Sequence, residues 1–398
     1  MTRRAALFML VAATALVAAL STGARLYYLM LISMGMMLVI GLASVLLALF
    51  TVRATIRCAR HTIERGVSVP IIATVRHMGL IPVRLIALKL ALPDDAGALE
   101  ALELDPLPFL QKDYELEITC PHRGVYPIGV TAMAASDVFG LFRLSRKVEN
   151  CFFQVEVAPR LRRLPAMALS PGDMEDNRVT RMTEDNASPA DVRAWRTGDA
   201  LKKVHWKLSM RKRELMVRTY EESLKPDTLI LIDLSPPATL KSHALSIEDT
   251  VIETAGSIAQ AQLTAGYPVR MPLMSAQPTE VRGENRAALG AFTQALTRVA
   301  FDSPFSFDKL LMLEMRRMQR TGGAVLITPK LNARVADLAT QLHHGGMRVT
   351  MCYVTDNRRE ETEQLLSQLT RVGITAYRVD PWGEGLTEAE MIERTTHG

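Results

Sequence analysis

No charged residue occurs from Ala5 to Ala24, and none occurs from Leu26 to Val52. As helices, roughly 20 apolar residues cross the hydrocarbon core of a bilayer, so each run is long enough to span one. Only Arg25, preceded by Ser21-Thr22-Gly23, separates the runs, which predicts a tight antiparallel hairpin over residues 1–52. Tyr27 and Tyr28 stand where interfacial aromatics collect, and the arginines set the orientation. Arg3 and Arg4 precede the first run and Arg53, Arg57 and Arg60 follow the second, against the lone Arg25 in the turn. Both ends of a two-pass hairpin are therefore expected in the cytoplasm. The order Arg-Arg, apolar run, small residues also fits a cleaved signal peptide ending near residue 24. Cleavage would leave the second helix and the same cytoplasmic region behind it.

The formal net charge of +5 invites a nucleic-acid reading until its location is examined. Residues 1–66 carry seven arginines against one glutamate, a net of +6, so the rest of the chain is close to neutral. The basicity belongs to the membrane flanks, and no nucleic-acid partner is expected. The four cysteines, at 58, 120, 151 and 352, form neither close pairs nor a regular framework, which predicts neither a disulfide scaffold nor a zinc module.

Beyond the hairpin, residues 53–165 contain short strand-like runs, Val67 to Val75, Val83 to Leu92, Tyr114 to Cys120 and Phe152 to Val157. Apolar residues alternate in Tyr114-Glu-Leu-Glu-Ile, as in a half-buried strand, so an all-β, antiparallel sandwich-like domain is expected. Residues 166–190 lose periodicity and fill with polar residues and proline, marking a linker or long loop. Residues 223–398 alternate strand and helix patterns. Strands are expected at Leu229 to Asp233, Val269, Ala324 to Thr328, Arg348 to Val354 and Thr375 to Val379, and helices from about Leu245, Arg286, Phe307, Ala333 and Glu360. Such alternation implies a largely parallel sheet covered by helices.

Residues 191–222, DVRAWRTGDALKKVHWKLSMRKRELMVRTYEE, hold nine Lys or Arg against three acids between Asp191 and Arg218. Gly198-Asp199 reads as a turn and N-cap for a helix over Ala200 to Leu208, with a strand following through Leu215, Val217 and Thr219. The pattern of Arg193, Trp195, Gly198, Asp199, Lys202, His205, Trp206, Lys207, Ser209 and Arg211 resembles the signature of the bacterial membrane family called domain of unknown function 58. HRGVYPIGV at 122–130 and SDVFGLFRL at 136–144 look like two further segments of it. Here Trp195, Val138, Lys202 and Met210 stand where that family usually has Tyr, Pro, Arg and Ala. The resemblance implies two membrane helices in the inner membrane, a β-domain, and a C-terminal α/β domain like von Willebrand factor A. It also implies a functional link to a MoxR-type AAA+ ATPase in work on cell-envelope complexes.

Two readings of the basic signature are open: a docking surface for an acidic partner, or an ion-paired junction in which Asp199 satisfies Arg193 or Arg211. Trp206 is expected in the core. Asp233-Leu-Ser235-Pro-Pro237 follows the first α/β strand, where von Willebrand A-like domains bind a divalent ion through an Asp-x-Ser-x-Ser motif. Magnesium needs several hard oxygens. Pro237 supplies none from its side chain, and Lys330 falls near where an acidic ligand would help, so Asp233 and Ser235 form a degenerate motif and no bound cofactor is expected. Cys120-Pro-His122 and His343-His344 lack companions at ligand or triad spacing. No catalytic residues are assigned, and the expected role is a scaffold. The competing roles are a divalent-metal-dependent ligand module at Asp233 and Ser235, and a hydrolase using Cys120 and His122.

Overall fold

The fold is taken from a computed structural model, which describes residues 3–58, 60–79, 85–91, 101–104, 111–148, 152–162, 191–195, 204–219, 227–237, 241–317, 321–383 and 390–391. The chain divides into two compact units, Met1–Ala158 and Pro159–Gly398.

In the first unit, α1 (Arg3–Thr22) and α2 (Arg25–Thr51) pair as the hairpin that the charge-free runs require. Gly23, at φ +64°, makes the left-handed turn that lets α1 stop and the chain reverse. Both helices are long and apolar enough to cross a membrane. α2 passes without a loop into β1 (Val52–Cys58). Strands β2 (Thr62–Glu64), β3 (Ser68–His77), β4 (Leu85–Ala91), β5 (Ala101–Leu104), β6 (Gln111–Thr119), β7 (Gly124–Ser136), β8 (Arg143–Lys147) and β9 (Phe152–Ala158) complete the unit.

They form a three-stranded sheet, β1-β3-β6, and a second sheet in the order β2-β9-β7-β4-β5, with β8 on β7. Strand β3 alternates buried and exposed residues along its length, so one face is available for a core. Val69, Ile71 and Ile118 of the first sheet share a core with Ile128, Val155 and Val157 of the second. The expected strands are present, but β2 runs parallel to β9, so the region is not purely antiparallel.

The second unit holds β10 (Asp191–Ala194), α3 (Trp206–Lys212) and β11 (Met216–Thr219), then a seven-stranded sheet. Its strands are β12 (Asp227–Ile232), β13 (Val269–Leu273), β14 (Thr279–Gly283), β15 (Thr321–Thr328), β16 (Arg348–Val354), β17 (Thr375–Val379) and β18 (Glu390–Met391), in the order β14-β13-β12-β15-β16-β17-β18. The central strands pair in parallel, while β14 and β18 are antiparallel edges that the sequence pattern did not reveal.

Helices α4 (Lys241–Thr264), α5 (Leu289–Arg298), α6 (Phe307–Met315), α7 (Ala333–His344) and α8 (Glu360–Val372) cover the sheet. The unbroken apolar run of β12 follows from this: Ile230 and Ile232 enter the core with α4 and α5, while Leu229 and Leu231 enter the one with α6, α7 and α8. The chain leaves β12 toward β13 and later returns on its other side as β15. The carboxyl ends of β12 and β15 are therefore the topological switch point, where α/β sheets place ligands.

Candidate functional site

The signature segment folds as a two-stranded hairpin carrying one short helix. Strand β10 pairs antiparallel with β11, Trp195 N–H donates to Leu215 O at 2.7 Å, and His205 N–H donates to Met216 O at 2.8 Å. Helix α3 begins at Trp206, where a helix was expected to be ending. Its cap is His205, whose Nδ1 accepts from Leu208 N–H at 3.3 Å, and the expected helix start at Asp199 and Ala200 lies outside the described residues. Arg213, at φ +58°, terminates it in the left-handed region.

Buried Ser209 joins helix to strand, its Oγ donating to His205 O at 3.0 Å and accepting from Met216 N–H at 2.9 Å. A side chain satisfying both a helix carbonyl and a strand amide fixes the helix on the hairpin. Gly198, Asp199 and Lys202 lie outside the described residues, as does the polar stretch 166–190, and for Arg193 only the backbone pairing with Val217 is described.

Helix α3 turns its opposite face outward. Trp206 is 60% exposed and Met210, one turn later, 82%. The expectation of a core tryptophan is therefore wrong: Ser209 and Val204 take the inward positions, and the i, i+4 spacing places Met210 beside Trp206 on the outer face. Lys207 and Arg211, at the same spacing one position on, are also exposed. Met210 was marked in the sequence only as a departure from the family's usual Ala, although its distance of four from Trp206 was the signal for a shared outer face.

At the switch point, Asp233 is 2% exposed and fully engaged. Its Oδ1 accepts from Ser235 N–H at 3.1 Å and Ser235 Oγ at 2.6 Å, and its Oδ2 accepts from Thr328 Oγ1 at 2.7 Å. Thr328, unmarked in the sequence, comes from the end of β15 and also accepts from Lys330 N–H at 2.9 Å. The Lys330 ammonium donates to Pro236 O at 2.6 Å and to Ser235 Oγ at 3.2 Å. A fixed positive charge thus stands on the oxygens a divalent ion would use, alongside a single carboxylate. Among the described residues no group of three or more His, Cys, Asp or Glu is placed to hold a metal.

The other sequence candidates do not assemble a site. Cys120 is 1% exposed, and burial, followed by the charge of Cys58, pushes its thiol up, away from the thiolate a nucleophile needs. Further along the chain, the Tyr126 hydroxyl donates to the backbone oxygens of His122 and Arg123. The rings of His343 and His344 diverge at the end of α7, with centroids 6.3 Å apart.

The β10–β11 hairpin with its capped helix and most of the seven-stranded sheet fall in the region that comparison singles out. Residues 191–372 match the family described as Protein of unknown function DUF58. The DUF58 match thus begins at β10 and ends with α8, containing both the exposed helix and the Asp233 cluster, and leaves the α1–α2 hairpin and the strands β1 to β9 outside it.

No curated protein matches the chain. Among solved structures, the sporulation control protein Spo0M of Bacillus subtilis is 13% identical over 36% of this chain and 58% of that one, with a TM-score of 0.18. A Paenibacillus sp. cycloisomaltooligosaccharide glucanotransferase is 9% identical (81% and 48% covered, TM-score 0.19). Cwp6 from Clostridium difficile is 10% identical (82% and 49% covered, TM-score 0.19). The chain spans about half the length of these matches. None of the three informs its fold.

Proposed function

We propose that the chain is a non-catalytic scaffold anchored in the bacterial inner membrane by α1 and α2, with its strand-rich and α/β regions in the cytoplasm. In this reading the α/β unit is of the von Willebrand A type, and its DUF58 hairpin docks a MoxR-type AAA+ ATPase that serves a cell-envelope complex. The observation that carries it is the outer face of α3. A tryptophan and a methionine stand exposed, beside Lys207 and Arg211, on a helix that Ser209 holds rigidly. Trp and Arg dominate binding hot spots, and preorganised anchors lose little entropy on docking. The basic flank selects an acidic partner surface.

The test is co-purification of the detergent-solubilised chain with such an ATPase in the presence of nucleotide. Wild type should enrich it, and Trp206→Ala with Arg211→Glu should lose at least tenfold without loss of folding. A wild-type chain that never enriches the ATPase, or a variant that enriches it equally, overturns the proposal. The rival reading, a divalent-metal module at Asp233 and Ser235, is disfavoured by the Lys330 ammonium on Ser235 Oγ and Pro236 O.

A further inference from the structure

The last turns of α2 have two faces. Gly41, Ser44, Val45, Ala48 and Leu49 are buried, at the 3-and-4 spacing of one helical stripe, and Val45, Ala48 and Leu49 share a core with Val75, Ile86 and Met133 of the sheets. Leu42, Leu46, Leu47 and Phe50, on the other face, are 40–75% exposed. This part of an apolar helix is therefore coated by the strand-rich unit on one side only.

The loop between β7 and β8 makes that coat at Gly41. Asp137, fully buried, accepts from Phe139 N–H at 3.1 Å and Phe142 N–H at 2.7 Å, which closes the loop into a compact turn. A Cβ added at Gly41 would lie 3.1 Å from Asp137 Oδ2 and 3.5 Å from the Phe142 ring, so helix and loop are in direct contact. The tip residues Val138 and Phe139 are nevertheless 47% and 40% exposed.

The depth of this contact follows from the anchor. At 1.5 Å per residue, Gly41 lies about 24 Å along α2 from Arg25, within a hydrocarbon core of roughly 30 Å. Counting back through the turn at Gly23 places Arg3 and Arg4 of α1 level with about residue 43 of α2, so Gly41 sits at the charged boundary. Two exposed basic residues mark that level, Arg4 at the start of α1 and Arg143 at the start of β8.

Resting on the reading of α1 and α2 as a membrane anchor, we propose that the β7–β8 loop is a bilayer wedge. Val138 and Phe139 enter the acyl–headgroup boundary beside α2, and Arg4 and Arg143 bind the phosphates of anionic lipid. An apolar tip with a basic surround is the chemistry of interfacial binding, and each Arg near an anionic surface strengthens it.

The full chain, with Cys58→Ser and Cys151→Ser, is reconstituted in vesicles of phosphatidylcholine and phosphatidylglycerol, some brominated at shallow acyl positions. An environment-sensitive dye is placed at one of three single cysteines. Phe139→Cys reports the wedge and Ile32→Cys, mid-helix, the anchor. Val67→Cys is exposed at the end of β3 roughly 30 Å from the helix junction. Quenching at 139 should exceed that at 67 at least threefold and should fall by half or more without phosphatidylglycerol.

Quenching at 32 with 139 no better than 67 overturns the wedge and leaves the anchor standing. No quenching at 32 overturns both. Unchanged quenching at 139 in neutral lipid overturns the arginine assignment. Should a labelled variant misfold, the otherwise native chain with a diazirine lipid decides. Cross-links in residues 137–142 support the wedge, and cross-links confined to the helices refute it.

Discussion

Replacing Lys330 by Met keeps the aliphatic stem and removes the ammonium from Pro236 O and Ser235 Oγ, 2.6 and 3.2 Å away. A hydrogen bond from a charged donor is worth about 1.5–3 kcal/mol, and the half-buried position of Lys330 puts the loss toward the lower end, about 1.5 kcal/mol. For a unit of roughly 240 residues this is about 3–6 °C in Tm. Calorimetry of the full chain in detergent reads it directly. Lys330→Asp goes further, adding a second carboxylate to the oxygens of Asp233, Ser235 and Thr328. Magnesium at a hundredfold excess over its Kd should then restore about 2.7 kcal/mol to that variant and nothing to wild type. An unchanged Tm for Lys330→Met, or magnesium stabilising wild type as strongly as Lys330→Asp, would refute the assignment of Lys330 as the resident cation.

Arg270 and Glu314 form an ion pair at 2.7 Å with side-chain exposures of 7% and 0%. Arg270→Met or Glu314→Gln alone should each cost about 3–5 kcal/mol in urea unfolding, because a charge is left buried, while Arg270→Met with Glu314→Leu should cost less than either. Burial raises the nearby Glu280 carboxyl, but the Arg282 hydrogen bond and the charges of Arg282, Arg270 and Arg317 outweigh it and hold it below the ordinary carboxylate range. Its contribution is therefore complete above the unfolded-state pKa and lost as pH falls through the folded one, so Glu280→Gln should flatten the acid limb of a Tm-against-pH curve.

Periodicity made the α/β unit legible because its strands are buried on both faces and its helices are amphipathic. The expected bounds of the strand at Arg348–Val354 and of the helix starting at Glu360 coincide with those observed. The edge strands were not legible, since Thr279–Gly283 is mostly exposed and carries no apolar run. The two apolar helices were legible from the charge-free runs alone, whereas the direct passage from α2 into β1 was not, because Val52 suits either backbone and only the sheet decides. Around the signature, the start of α3 was not legible, because its cap, His205, depends on an Nδ1–amide bond that a sequence does not reveal. Trp206 was misplaced for a related reason: which face of a seven-residue helix is buried is set by Ser209 and the β-hairpin, not by hydrophobicity.

The segment that opens the second unit is pinned to α4 in a way that a double-mutant cycle can measure. Arg160 N–H donates to Glu253 Oε1 at 3.0 Å and Arg162 N–H to Ser257 Oγ at 2.9 Å, with Leu161 between them over Gly256. A Cβ at Gly256 would lie 2.4 Å from Leu161 Cδ2 and 3.1 Å from Leu296 Cδ1. Because both flanking amides are held, the Leu161 backbone cannot retreat and its side chain must swing out of contact. Gly256→Ala gains about 1 kcal/mol of helix propensity but loses that packing, a net cost of about 1 kcal/mol. Leu161→Ala alone removes the same packing and leaves a gap. With both changes the new methyl occupies the vacated space and the propensity gain is realised, so the double variant should be more stable than the two single costs predict by at least about 1 kcal/mol. Urea unfolding that gives additivity within about 0.5 kcal/mol would show that Leu161 does not depend on the glycine, and that the two amide bonds alone hold the segment.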